Sequence, residues 1–168
     1  LAGNSASGES GLRPAYLRAL ARLEKAASSS ADDEANRGGL LLRLGRPEQA
    51  LAILRGANAR HPDHPGACHY YIHTVEASPT PERALSCAER LPTLMPGAGH
   101  LVHMPAHIYM RLGKYHQAAE RNAHAAQVDR GYLGMRKVAE EYAGGYYPHN
   151  LHFLWAALAM EGRRDESL

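Results

Sequence analysis

The chain of 168 residues is long enough for one compact domain with a real core, or for a few units of a repeat array. Its 45% apolar and 21% charged residues are ordinary for a globular protein, and no apolar run approaches the roughly 18 residues of a membrane span, which argues against a transmembrane segment. The net charge of +2 comes from 19 basic and 17 acidic residues interspersed along the chain, so there is no electrostatic footprint for nucleic acid or for an anionic membrane. Cys68 and Cys87 are too few for a disulfide framework and fit a reducing, cytoplasmic setting. The leading segment lacks the charged and apolar regions of a signal peptide. Against this background the 11 histidines stand out, many of them clustered.

Residues 1 to 11 (LAGNSASGESG) are small, polar and Gly/Ser-rich, which predicts a flexible tail ahead of a single helical domain over 12–168. Leu12, Tyr16, Leu17, Leu20 and Leu23 recur at helical spacing and predict a short amphipathic helix over roughly 12 to 26. Ser28 to Asp33 reads as a loop that carries helix-capping residues. Beyond about residue 34, Leu, Ala, Arg and Glu dominate, β-branched residues are sparse, and Gly and Pro fall at intervals. That pattern predicts helices throughout and no strands.

Internal repetition organises these helices. Gly38, Gly45, Ala50, Leu54, Ala57 and Pro62 occupy positions 8, 15, 20, 24, 27 and 32 of a 34-residue frame beginning at Ala31. The segment YMRLGKYHQAAERNAHAAQ places Gly113 at position 15, Ala118 at 20 and Ala125 at 27, and Gly113 follows Gly45 by 68 residues, two periods. The intervening frame begins at Pro65 and puts Ala84 at position 20, Leu91 at 27 and Pro96 at 32. A fourth start, HNLHFLWAALAMEGRRDES, has Trp155 at position 8 and Gly162 at 15, displaced by 15 residues inserted between about Asp129 and Tyr147. The frames lie near 31–64, 65–98, 99–130 and 148–168. This pattern resembles the tetratricopeptide repeat, in which two antiparallel helices pack through small residues at positions 8, 20 and 27. The resemblance implies an all-α solenoid of helix pairs, with positions 2, 5, 9, 12 and 13 of each first helix facing a concave groove.

The frame then sorts the histidines. His69, His73 and Glu76 fall at positions 5, 9 and 12 of the second repeat, His100, His103 and His107 at 2, 5 and 9 of the third, and His149 and His152 at 2 and 5 of the fourth. All are groove positions. Helix geometry agrees without the family: at 100° per residue, each of the first two trios spans an arc of roughly 60°. Packed helices lie about 8–10 Å apart, so imidazoles on neighbouring helices can converge on a shared ion. Neutral imidazole is the commonest metal ligand and suits Zn, Cu, Fe and Ni. Seven histidines with Glu76 exceed one tetrahedral shell and can serve two ions.

The expected core metal ligands are therefore His69, His73, His103 and His107, whose i,i+4 pairs sit at matching positions of adjacent repeats, with His100, His149 and His152 as additional ligands. Glu76 is a candidate ligand, orienting group or general base, and Tyr109 a candidate donor to a metal-bound ligand. A nearly all-imidazole set favours copper or iron and a metal-dependent oxidoreductase acting on a small molecule; a zinc-dependent hydrolase is the alternative chemistry. No HExxH or CxxC motif selects among the metals. The competing class is an interaction module whose groove binds a peptide without metal. Against it, a clamp for a peptide carboxylate wants Lys, Arg and Asn, and here only Arg43 and Arg111 stand at position 13. His61, His64, His116 and His124 fall outside the groove positions and read as surface or satisfied core residues, and Cys68 and Cys87 as buried thiols. Pro105, inside the third repeat's first helix, predicts either a later helix start near Met104 or a local distortion that re-aims the imidazoles. Finally, HPGACHYYIHTVEAS, GHLVHMPAHIYMRLG and YYPHNLHFLWA together look similar to a histidine-rich group of bacterial tetratricopeptide-like proteins over about 61 to 168. That resemblance implies that the histidine segments belong together.

Overall fold

Pro, Gly and capping residues punctuate this chain at the ends of its helices, and the computed structural model, which describes residues 6–26, 30–135 and 142–167, follows that punctuation. Every regular element among the described residues is helical. The chain divides into two compact units, Leu1–Thr74 and Val75–Leu168. Each unit has a buried hydrophobic cluster of its own: Ala35, Ala57 and Ala67 in the first, and Ala106, Tyr109, Ala118, Ala119, Ala157 and Leu158 in the second.

The first unit contains α1 (Ala6–Glu24), α2 (Ala31–Arg43), α3 (Pro47–Arg60) and most of α4 (Pro65–Val75). Helix α1 begins at Ala6, so residues 6–11, expected as tail, are helical; residues 1–5 of that expectation lie outside the described residues. Ser30 caps α2 through a reciprocal pair of bonds: its hydroxyl accepts from the Asp33 N–H at 3.1 Å, and the Asp33 carboxylate accepts from the Ser30 N–H at 3.0 Å. Helices α2 and α3 meet closely at Gly38, where a Cβ would sit 2.5 Å from the Leu54 side chain. Position 8 of the repeat must be this small to let Leu54 in, and Leu54 is fully buried as a result.

The second unit holds a 3₁₀ turn at Pro81–Ala84, then α5 (Leu85–Leu94), α6 (Gly99–His103), α7 (Pro105–Arg111), α8 (Tyr115–Met135), a π-helical turn at Tyr142–Tyr146, α9 (Tyr147–Met160) and α10 (Arg164–Ser167). Of the extra residues ahead of the fourth frame, the described ones form a C-terminal extension of α8 and that π-helical turn. Helix α8 packs most extensively on α9 and also meets α6 and α7. Ala118, Ala119, Ala125 and Ala126 on α8 are all buried, and their small side chains permit this crowding. The Pro105 question resolves as a local distortion. Helix α6 already starts at Gly99, so His100 and His103 are helical, and Met104 keeps helical dihedrals of −49° and −35° across the break. Its carbonyl accepts from the His107 N–H, three residues on, at 3.2 Å, a single 3₁₀-type turn.

Gly45, Gly113 and Gly162 all stand at position 15 and all adopt a left-handed backbone, with φ of 73°, 70° and 81°. Each allows the next residue to reach back across the helix end: Arg46 N–H to Leu41 at 2.9 Å, Lys114 to Tyr109 at 2.8 Å, and Arg163 to Leu158 at 2.9 Å. The second frame has Pro79 at this position instead, and α4 stops four residues earlier at Val75, leaving Glu76 just beyond its end. Nothing crowds a Cβ at Gly113, so Gly113→Ala isolates the backbone term. Urea unfolding of that variant should show a loss of about 1–2 kcal/mol with unchanged helix content, and an unaltered midpoint would contradict the turn assignment.

Candidate metal centre

Three histidines of the second unit converge. His103 ends α6 and is fully buried, His107 lies one turn further on α7 at 7% exposure, and His149 enters from the first turn of α9. A ligand atom of each lies within 4.8 Å of the others. The closest approach is between His103 Nε2 and His107 Nε2, 2.9 Å apart. The His149 ring stands edge-on to His103 at 4.8 Å between centroids and faces His107 at 5.7 Å.

The outer nitrogens of the pair are held by other residues. His103 Nδ1 bonds Asn122 Oδ1 on α8 at 2.6 Å. His107 Nδ1 bonds Glu76 Oε2 at 2.5 Å, a carboxylate–histidine pair of the kind that orients metal-binding imidazoles. Phe153, one turn after His149, packs against all three rings at 4.7 to 4.9 Å and limits their rotation. His103 is held well below the ordinary imidazole value, first by burial and then by repulsion from His107, with His149 and His100 adding to it and the bond to Asn122 opposing it. A neutral imidazole is the form that binds metal. With three nitrogen donors gathered, the arrangement can hold one ion and leave a fourth position open for water or a substrate atom.

The other expected site residues are placed as follows. His100 flanks the trio, its ring 5.8 Å from that of His103 and 4.5 Å from Tyr146 on the π-helical turn. His152 is not brought to the trio: it is exposed, with its ring stacked on Trp155 at 5.6 Å. Helix α9 turns His149, Asn150, Phe153 and Ala157 inward, which leaves His152 and Trp155 on its outer side; Trp155 is 50% exposed although it holds position 8. Tyr109 is buried in the apolar cluster, and burial raises its phenol while Arg121 bonds it. His69 and His73 belong to the first unit, one turn apart on α4 with ring centroids 4.9 Å apart. His64 accepts from the Ala67 N–H at 3.1 Å and donates to Asp32 at 3.0 Å, so it caps α4; His116 pairs with Glu161 at 2.7 Å on the surface.

Asn122 and Phe153 did not stand out in the sequence. A signal for Asn122 was present: it holds position 24 of the third frame, where the first frame has the fully buried Leu54. A polar residue at a core position needs a partner, and His103 supplies it. Asp129 is a second example. Fully buried, it accepts from Tyr142 Oη at 2.6 Å and from Asn150 Nδ2 at 2.7 Å. Burial, followed by the bond to that carboxylate, raises the Tyr142 phenol. Asn150 adjoins His149, and Gly99, which adjoins His100, packs directly on the Asp129 carboxylate, so Asp129 brings α8 together with the two helices that carry these histidines.

Comparison with known proteins agrees on the architecture. The structure is similar to MamA 41-end from Desulfovibrio magneticus RS-1, with a TM-score of 0.59 and 16% identity over 98% of this chain and 99% of that one. It is equally similar to the MamA RS-1 ArsTM double mutant, with a TM-score of 0.59 and 15% identity over 99% of both chains. The fold is a tetratricopeptide-like helical repeat. No family model and no curated protein matches the chain. No helix among the described residues is long and apolar enough to cross a membrane.

Two stability measurements bear on this site. Because the folded state depresses the His103 value, the unfolded chain binds more protons below about pH 6.5, so stability falls as pH drops through that value towards the folded one. Urea midpoints of chelator-treated protein should therefore be lower at about pH 5.5 than at about pH 7.5, and a His103→Leu variant should lose part of that slope. At Gly99, an added methyl would overlap the Asp129 carboxylate. Gly99→Ala should cost about 1–3 kcal/mol in the same assay, and a neutral result would contradict the packing described.

Proposed function

We propose that this protein is a metal-binding helical-repeat module whose second unit holds a transition-metal ion on His103, His107 and His149. The observation that carries this reading is the 2.9 Å approach of two imidazole Nε2 atoms whose Nδ1 atoms are both already bonded, with a third imidazole beside them. With each Nδ1 facing a hydrogen-bond acceptor, the two Nε2 atoms turn towards one another, where a proton or a metal ion about 2.0–2.1 Å from each nitrogen would satisfy both. Glu76, through His107 Nδ1, would orient that ligand and strengthen its donation. The imidazole set favours copper or iron, and with an open position such an ion would support oxygen or redox chemistry; zinc would instead act as a Lewis acid for hydrolysis. The buried thiols Cys68 and Cys87, and the similarity of the histidine segments to a bacterial histidine-rich group, support a reducing, cytoplasmic setting and a shared role for these segments.

Elemental analysis of untagged protein purified without chelator tests this directly. The expected result is one equivalent of metal in the second unit, lost in a His107→Ala/His149→Ala variant that keeps its helix content. Unchanged metal in that variant, or no uptake by the parent protein, would overturn the assignment. Copper or iron would direct attention to oxygen consumption, and zinc to hydrolysis.

A second reading rests on the first unit. A cavity of about 370 Å³ is lined there by Arg22, Asn36, Arg43 and Tyr70 among others. Two guanidinium groups, an amide and a phenol suit a carboxylate, which supports a protein or peptide partner of the kind helical repeats present surfaces to. This reading predicts acidic-peptide binding that survives chelation and weakens at least tenfold in Arg22→Glu/Arg43→Glu; binding lost with the metal would contradict it.

A further inference from the structure

The nitrogen that His103 can offer to an ion is decided outside the histidine cluster. Asn122 Nδ2 donates to the Ala118 carbonyl at 2.7 Å. A carbonyl accepts hydrogen bonds and cannot donate them, so this contact fixes the orientation of the amide. Asn122 Oδ1 is then the atom that meets His103 Nδ1 at 2.6 Å. Oδ1 is likewise an acceptor alone, so Nδ1 must carry the hydrogen. In neutral His103 the lone pair is thereby left on Nε2, the atom 2.9 Å from His107 Nε2. Asn122 is fully buried. His64 shows the opposite choice in the same chain: its Nδ1 accepts from a backbone N–H and its Nε2 donates.

Resting on the metal-centre reading, we infer that Asn122 is the positioning residue of the site: through the Ala118–Asn122–His103 chain it locks His103 in the Nδ1–H tautomer and presents Nε2 to the ion. It does not touch the ion. Its effect is to keep a lone pair aimed inward where a free imidazole could place a hydrogen. Without Asn122, His103 can move its hydrogen to Nε2 and donate it to His107 Nε2. That exchange satisfies both rings without a metal and closes the site.

Asn122→Leu removes the acceptor at nearly constant volume, whereas Asn122→Asp keeps an acceptor facing His103. Long-range ¹H–¹⁵N spectra of the metal-free proteins read the tautomer, and cobalt(II) titration reads affinity. The expected result is Nδ1–H at His103 in the parent and in Asn122→Asp, and Nε2–H in Asn122→Leu. Cobalt(II) affinity should fall 10- to 100-fold in the Leu variant and stay within a few-fold in the Asp variant. A Leu variant that keeps Nδ1–H, or binds cobalt(II) as tightly as the parent, would overturn the inference. A parent that binds no cobalt(II) would remove the metal reading by itself; the tautomers of the metal-free proteins would then decide the role of Asn122. Should Asn122→Leu fail to fold, Asn122→Ala takes its place with the same readouts, and an unchanged tautomer there overturns the inference equally.

Discussion

The contact between His103 and His107 inside the second unit is the constraint around which the rest of the site is arranged. Two imidazoles meet nitrogen to nitrogen at 2.9 Å where His103 has no exposure to water. A buried polar pair of this kind is costly unless every remaining ring nitrogen is satisfied. Asn122 and Glu76 satisfy the two outward nitrogens. Phe153 fills the space beside all three rings, and His149 completes the group. The alanine-rich face of α8 lets these helices come close enough for the side chains to meet.

Much of this architecture was legible from the period of the sequence. Position 15 needs a left-handed residue, so Gly45, Gly113 and Gly162 marked three helix ends. Position 8 needs a small or tightly packed residue, and Gly38 and Ala106 obeyed that rule. Because helical spacing fixes which side chains share a face, the pairing of His103 with His107 is legible in the sequence, as is that of His69 with His73, and the frame adds His149 together with His100 and His152. The helical start of α1 at Ala6 is not legible in the sequence, because glycine and serine outnumber alanine and glutamate over residues 6–11.

Other features depended on contacts that no periodicity encodes. His152 and Trp155 obey the frame in sequence yet stand outside, because Asn150 is drawn to Asp129 and Phe153 to the imidazoles, which together set the rotation of α9. Tyr109 holds a plausible spacing but spends its ring on the apolar cluster. Asn122 and Asp129 are polar residues at buried positions of a repeat, and their importance appears only when their partners are known. A residue that breaks the apolar pattern of a repeat was here a better pointer to the site than one that merely shares its face.

Anomalous diffraction from crystals grown with cobalt(II) tests the central claim most directly. The account predicts a peak about 2.0–2.1 Å from the Nε2 atoms of His103 and His107, with His149 as the third ligand. An empty trio in cobalt-grown crystals, or a peak confined to surface histidines such as His116, would contradict it.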